Sequence, residues 1–241
     1  MILNHDRNET RPGIWVVATI GACAIGTMTG LAYASRSAIQ DRTISRAQAE
    51  ALVQNATLGG NPIPLVANER VLARLNTLVG TPDGRQWLKE SLARMQTYEP
   101  MIRQKLLDNG MPEEFLALPL VESGYRNDLV SPRSKAAGIW QLIPGTARRL
   151  KLTDEGGRDD RLDPEKQTDA AIVLLTDLHE TFRDWRLAIK AYNEGASSLS
   201  MLIAKQKTVD PWELEQSASN EDYLSGVIAA MIVLRNPELL D

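Results

Sequence analysis

Apolar residues recur at three- and four-residue spacing along most of this chain, and no stretch alternates apolar and polar residues long enough for a strand. That periodicity predicts an all-α fold. Val66, Val71, Leu72, Leu75 and Leu78 carry it after Pro64, and Trp87, Leu88, Leu92, Met95 and Tyr98 carry it after Pro82. Pro100 is expected to break or kink the second stretch, which Ile102, Leu106 and Leu107 resume up to Asn109-Gly110. Pro112 with Glu113-Glu114 suits the start of another helix, with proline and acidic residues in its first turn. From Phe115 to Val121 that helix is apolar nearly all round, which predicts burial, and it runs into Glu122-Ser123-Gly124. Between Gly124 and Pro164 the chain is rich in Gly, Pro, Asp and Arg, with one apolar island at Ala136 to Ile143. After Asp163-Pro164 an amphipathic helix carries Ala170, Ala171, Leu174, Leu175, Leu178 and Phe182. Helical segments follow at Trp185 to Asn193, closed by Gly195, around Leu199 to Ile203, and from about Glu221 to Arg235.

The chain has 241 residues, 43% hydrophobic and 24% charged, which suits one domain with a small appendage. A net charge of −4 leaves no basic surplus to neutralise phosphates, so nucleic acid is a poor partner. One Cys excludes an internal disulfide, and two His leave little for a metal cluster or a Ser-His-Asp triad. Ile14 to Ala34 is an uncharged run of 21 residues, long enough as a helix to span a bilayer core of about 30 Å. It reads as a membrane anchor, or as a signal peptide ending in the Ala-x-Ala-like Ala32-Tyr33-Ala34. Lipidation at Cys23 is a third reading, weakened by the apolar sequence beyond it. Residues 1–35 are assigned to that segment, 36–63 to a stalk or linker with one short helix, and 64–104 to a helical N-terminal layer. Residues 105–241 are assigned to the chemistry-bearing domain.

Glu122 is the most informative residue. Apolar packing disfavours its charged form, and the negative end of the helix dipole adds about 0.3–1 kcal/mol, under one pKa unit. Desolvation must therefore dominate if Glu122 is to stay protonated near neutrality, as a general acid requires. A helix-terminal Glu that points to solvent fits the same position. Asp128 and Asp163 lie in polar, loop-like stretches, so no second carboxylate shares an apolar setting.

Three ordered motifs carry a resemblance over roughly residues 105 to 235. They are Glu122-Ser123-Gly124-Tyr125, Ala136-Ala137-Gly138-Ile139-Trp140-Gln141-Leu142-Ile143-Pro144, and Ala191-Tyr192-Asn193-Glu194-Gly195. In them the chain resembles bacterial lytic transglycosylases of the soluble-lytic-transglycosylase (SLT) type, relatives of goose-type lysozyme. Leu116-Ala117-Leu118-Pro119-Leu120-Val121-Glu122-Ser123 is similar to the wording of the membrane-bound lytic transglycosylase D branch.

The resemblance implies a lysozyme-like catalytic domain that cleaves the β-1,4 bond between N-acetylmuramic acid and N-acetylglucosamine in peptidoglycan glycan strands. Glu122 is then the catalytic acid and later the base, with Ser123 beside it. Gly138 to Gln141 is the family's Gly-Leu-Met-Gln motif with Ile139-Trp140 in place of Leu-Met, and Gln141 binds sugar. Tyr192 and Asn193 belong to the motif beside the cleft, and Tyr223 contacts the acid. No cofactor or metal is implied. The implied location is the bacterial cell envelope, at the periplasmic face of the inner membrane, or the periplasm if the N-terminal segment is cleaved.

A muramidase, a non-catalytic peptidoglycan-binding module and a membrane-anchored regulatory protein are the alternatives. Other residues have plainer readings: Trp140 as core or cleft wall, Tyr192 and Tyr223 as core positions, and Glu113, Glu114 and Glu194 as helix-start or solvated loop charges. His179 is read on an exposed helix face, and Met95, Met201 and Met231 as core fillers. Pro119 cannot donate to the carbonyl of Phe115, so it should kink the helix and aim Glu122. Pro119→Ala is accordingly expected to straighten the helix and lower activity; unchanged helix geometry and rate in that variant would remove this role.

Overall fold

The computed structural model describes residues 43–56, 63–154, 156–214 and 223–240. The expectations for Ile14 to Ala34, Cys23, the break at Leu58 to Pro62, and Glu221 and Asp222 lie outside the described residues. Helices of the described chain are α1 (Arg46–Ala56), α2 (Glu69–Leu75), α3 (Pro82–Asp108), α4 (Ala117–Ser123), α5 (Pro144–Arg149), α6 (Pro164–Phe182), α7 (Trp185–Glu194), α8 (Ala196–Gln206) and α9 (Tyr223–Arg235). Among the described residues there is no strand, only isolated bridges joining Ala137 to Val130 and to Leu142. The all-α expectation holds at that level. No helix among them is long and apolar enough to cross a membrane.

The architecture is organised around α9. Its residues are apolar on every side, so it can be stable only where other elements surround it. Val227, Ile228, Ala229, Met231, Ile232 and Val233 are sealed from solvent, and α1, α2, α4 and α7 pack against the helix. At its C-terminal end Arg235 pairs with Glu114, whose side chain is buried. Glu114 thus sits in a helix first turn, as expected, and its burial and ion pair fasten that 3₁₀ turn, Glu113–Leu116, to α9.

The long α3 lies on the other side of α4. Thr81 caps it by accepting from the Gly84 amide, with Pro82 in the first turn. Pro100 does not end this helix, contrary to one of the two outcomes expected of it. Pro100 and Gln96 both face solvent, so water can satisfy the Gln96 carbonyl that the proline leaves free. The switch from the 3₁₀ turn to α4 falls at Leu116–Ala117, beside the Phe115 carbonyl that Pro119 cannot serve.

Two further expectations are corrected. Met201 is exposed, whereas Met95 and Met231 do fill the core. His179 is half-buried and stacks on the Trp185 ring at 3.7 Å, because the last turn of α6 abuts the first turn of α7.

The start of the described chain is tied in as well. Ala49 of α1 is fully buried, and the Asn76 amide holds Ile44 by two bonds. It accepts from the Ile44 N–H at 2.6 Å and donates to the Ile44 carbonyl at 3.0 Å. Asn76→Ala is expected to release this clasp, weakening α1 locally by about 1–3 kcal/mol. Hydrogen exchange should then accelerate in residues 46–56 and stay unchanged in α9; equal protection of α1 in both proteins would show that apolar packing alone holds it.

Candidate functional site

The site is built where α4 ends. Helix α4 must stop abruptly, and Gly124 stops it in the left-handed conformation at φ +57, with its N–H bonded to the Leu120 carbonyl at 2.9 Å. A Cβ on Gly124 would sit 2.7 Å from the Ser91 hydroxyl of α3. From the same helix Arg94 Nε donates to the Gly124 carbonyl at 2.7 Å. This fixes the turn that leaves Glu122 to α3.

Glu122 is half-buried, so solvent reaches it, yet its carboxyl is crowded by protein. Burial pushes its pKa from 4.5 up to about 7, and the hydrogen bond donated by the Tyr223 hydroxyl opposes that rise without cancelling it. Tyr223 opens α9 and is almost fully buried. Tyr192, on α7, lies close enough to sense the Glu122 charge. Burial first, and that charge second, hold both phenols well above the usual tyrosine range, so they remain hydrogen-bond donors.

The loop 136–142 forms the neighbouring wall. Gly138 adopts φ +79, and a Cβ there would collide with the Arg161 carbonyl and the Gln167 side chain. Ser123 is buried and its hydroxyl lies 2.9 Å from the Ile139 carbonyl, tying the residue after the acid to this loop. The Tyr192 hydroxyl donates to the Trp140 carbonyl at 2.7 Å. Trp140 itself is fully buried, with its indole N–H on Thr168 at 2.9 Å. The core reading of Trp140 is therefore the right one; what it offers the site is its backbone.

Gln141 takes φ +49, and its amide nitrogen donates to the Gly138 and Leu129 carbonyls at 2.8 and 3.1 Å. Its Oε1 is buried and accepts from no protein group. Asn193 likewise keeps a buried Oδ1 without a protein donor. Ser123, Gly138, Tyr192 and Tyr223 are thus linked to Glu122 or to the loop beside it, while Gln141 and Asn193 each present an uncommitted acceptor.

Glu194 is not a solvated loop charge. It ends α7, is half-buried, has an unpartnered Oε1, and has its pKa raised by burial against the opposing charge of Lys190. Two residues beyond Tyr192 on a helix, it projects about 200° away from that phenol and is no partner for Glu122. Asp160 is another buried carboxyl. Lys166 and Thr153 hydrogen-bond it and hold it well below the usual carboxylate range. Among the described residues Glu122 is the carboxyl that combines a raised pKa with phenol partners.

Asn127, Arg161 and Gln167 escaped the sequence reading although they brace this site. Gln167 did leave a signal, as a polar residue on the apolar stripe of Ala171, Leu174 and Leu178 in α6.

Residues 99–215 match the family model for the transglycosylase SLT domain. That segment is similar to the SLT transglycosylase domain. It contains Glu122, the loop and Tyr192; Tyr223 lies beyond the matched residues. The chain is 31% identical over 157 residues to membrane-bound lytic murein transglycosylase D of Escherichia coli, an alignment covering 63% of this chain and 34% of that protein. It is 33% identical over 144 residues to membrane-bound lytic murein transglycosylase C of Photorhabdus laumondii, covering 54% of this chain and 40% of that one. A protein of Alteromonas sp. named for tributyltin chloride resistance is 28% identical over 156 residues, covering 63% of this chain and 74% of its own length. The chain therefore spans about a third of the transglycosylase D that it matches.

The raised Glu122 pKa has a stability consequence. Unfolded, the group ionises near 4.5; folded, near 7. Between those values the unfolded chain has lost the proton and the folded one keeps it, so stability falls as pH rises through the window, by about 3 kcal/mol in full. Glu122→Gln removes this loss. The variant should melt roughly 5–10 °C above the parent at pH 8 and alongside it near pH 4; equal melting at pH 8, measured by calorimetry, would contradict the burial of this carboxyl.

Proposed function

We propose that the chain is a peptidoglycan lytic transglycosylase that cleaves the β-1,4 bond between N-acetylmuramic acid and N-acetylglucosamine. The observation that carries this is a solvent-reachable carboxyl, Glu122, whose pKa is raised to about 7, so that a large share keeps its proton at neutrality, and which is oriented by the Tyr223 hydroxyl. The match of residues 99–215 to the SLT domain model and the murein transglycosylase relatives support the substrate class.

The residues suit one acid working twice. Protonated Glu122 donates to the glycosidic oxygen as the bond to C1 breaks through an oxocarbenium-like transition state, with the substrate's N-acetyl group as internal support. The resulting Glu122 carboxylate then accepts the proton of the muramic C6 hydroxyl as that oxygen closes on C1. The product is a 1,6-anhydro sugar, and the proton count balances without a water molecule. Tyr223 and Tyr192, with pKa values far above the working range, donate hydrogen bonds throughout and carry no proton themselves. Gln141 and Asn193 are assigned to sugar binding, as the resemblance implies; the side-chain oxygen of each has no protein donor.

In this reading residues 105–241 form a lysozyme-like catalytic domain, with 64–104 as a helical layer against it. Glycan strands are the partner. The chain works in the bacterial cell envelope, at the periplasmic face of the inner membrane if residues 14–34 anchor it and in the periplasm if they are removed. Relatives whose names describe them as membrane-bound support that placement.

Digestion of purified sacculi followed by mass spectrometry tests the reaction. Wild type should release fragments with 1,6-anhydro ends, and Glu122→Gln should release them at least about 100-fold more slowly. The rate should also fall as pH rises through about 7, where Glu122 loses its proton. Reducing ends in place of anhydro ends would make the chain a muramidase, and intact strands would leave only a binding module.

A further inference from the structure

We propose that Gln167 is a positioning residue for the chemistry at Glu122, an inference that rests on the transglycosylase reading above. Gln167 is wholly buried in the first turns of α6. A buried amide must find partners at both ends, and those of Gln167 belong to two different parts of the site. Its Nε2 donates to Asn127 Oδ1 at 2.6 Å, and its Oε1 accepts the Trp140 backbone N–H at 3.2 Å.

Both partners lead back to the acid. Asn127 lies in the turn that follows Glu122, and its own Nδ2 donates to the Leu162 carbonyl at 2.7 Å. Trp140 offers its carbonyl to the Tyr192 hydroxyl, the phenol that senses the Glu122 charge. The residue after Gln167 grips the same tryptophan: Thr168 Oγ1 accepts the Trp140 indole N–H and donates to the Pro164 carbonyl at 2.6 Å. Gly138 lets the loop lie directly on the Gln167 amide, since a Cβ would strike it. Gln167 therefore links the turn that leaves the acid to the loop that seats the neighbouring phenol, through hydrogen bonds to Asn127 and Trp140.

General-acid transfer is steep in geometry, and a displacement of about 1 Å can cost on the order of 100-fold in rate. Gln167→Ala should lower kcat on soluble uncross-linked glycan strands about 10-fold or more and change KM less than about threefold. Asn127→Ala cuts the same link from its half-buried end and should give the same split. Because the two residues act as one unit, the double variant should be no slower than either single one. The Glu122-dependent fall of the pH–rate profile should shift in all three proteins, which loss of stability alone would not produce. Should Gln167→Ala fail to fold, Asn127→Ala reads the same quantities.

A kcat per folded molecule within about twofold of wild type, or losses that multiply in the double variant, would overturn the proposal. Failure of the reading beneath it looks different. Wild type that leaves the strands uncut overturns the transglycosylase assignment, whereas wild type that cuts beside variants cutting equally fast overturns only the role of Gln167.

Discussion

A carboxyl group taken out of water either gives up its charge or finds a partner that stabilises it. Glu122 is held between these outcomes. Crowding drives it toward the neutral acid, and one phenol hydroxyl, from Tyr223, draws it partway back. The rest of the structure serves that balance. Full burial with no partner would leave an acid that never releases its proton, and open exposure would leave an ordinary carboxylate. Helix α4 supplies the apolar approach, the left-handed Gly124 ends it on the spot, and α9 brings the opposing hydroxyl from the far end of the described chain.

The wall beside the acid is held by its main chain. The carbonyls of Ile139 and Trp140 face Ser123 and Tyr192, and the Trp140 N–H faces Gln167. Their side chains are buried as core. This explains how Ile139-Trp140 can occupy a motif position that the family fills with Leu-Met: bulk and burial are required there, and the polar work falls to atoms that every residue has.

Much of this was legible in the sequence, for physical reasons. Helices announce themselves through a 3.6-residue rhythm, and α3, α6 and α7 begin at the Pro and Asp residues that mark starts. Glu122 stood out because a lone acid closed an apolar run. What stayed hidden was pairing between distant segments. Nothing local to Glu114 says that Arg235 will neutralise it, and nothing local to Asn127 says that an amide 40 residues away will seize it. Pro100 left two outcomes open for a related reason: whether a proline ends a helix depends on whether water can reach the carbonyl it abandons, and that is set by packing. For Gln141, expected to bind sugar, no local pattern shows that the loop claims the amide nitrogen and leaves the oxygen without a protein donor.

The placement of Tyr223 on α9 also has a temporal side. A ribosome delivers residues 117–123 long before it delivers residue 223, and chains fold as they emerge. Until the last helix is threaded among α1, α2, α4 and α7, the acid lacks the hydroxyl that orients it and much of the apolar mass that shields it. Every unfinished copy thereby lacks the complete site, which is assembled only as the fold itself is finished.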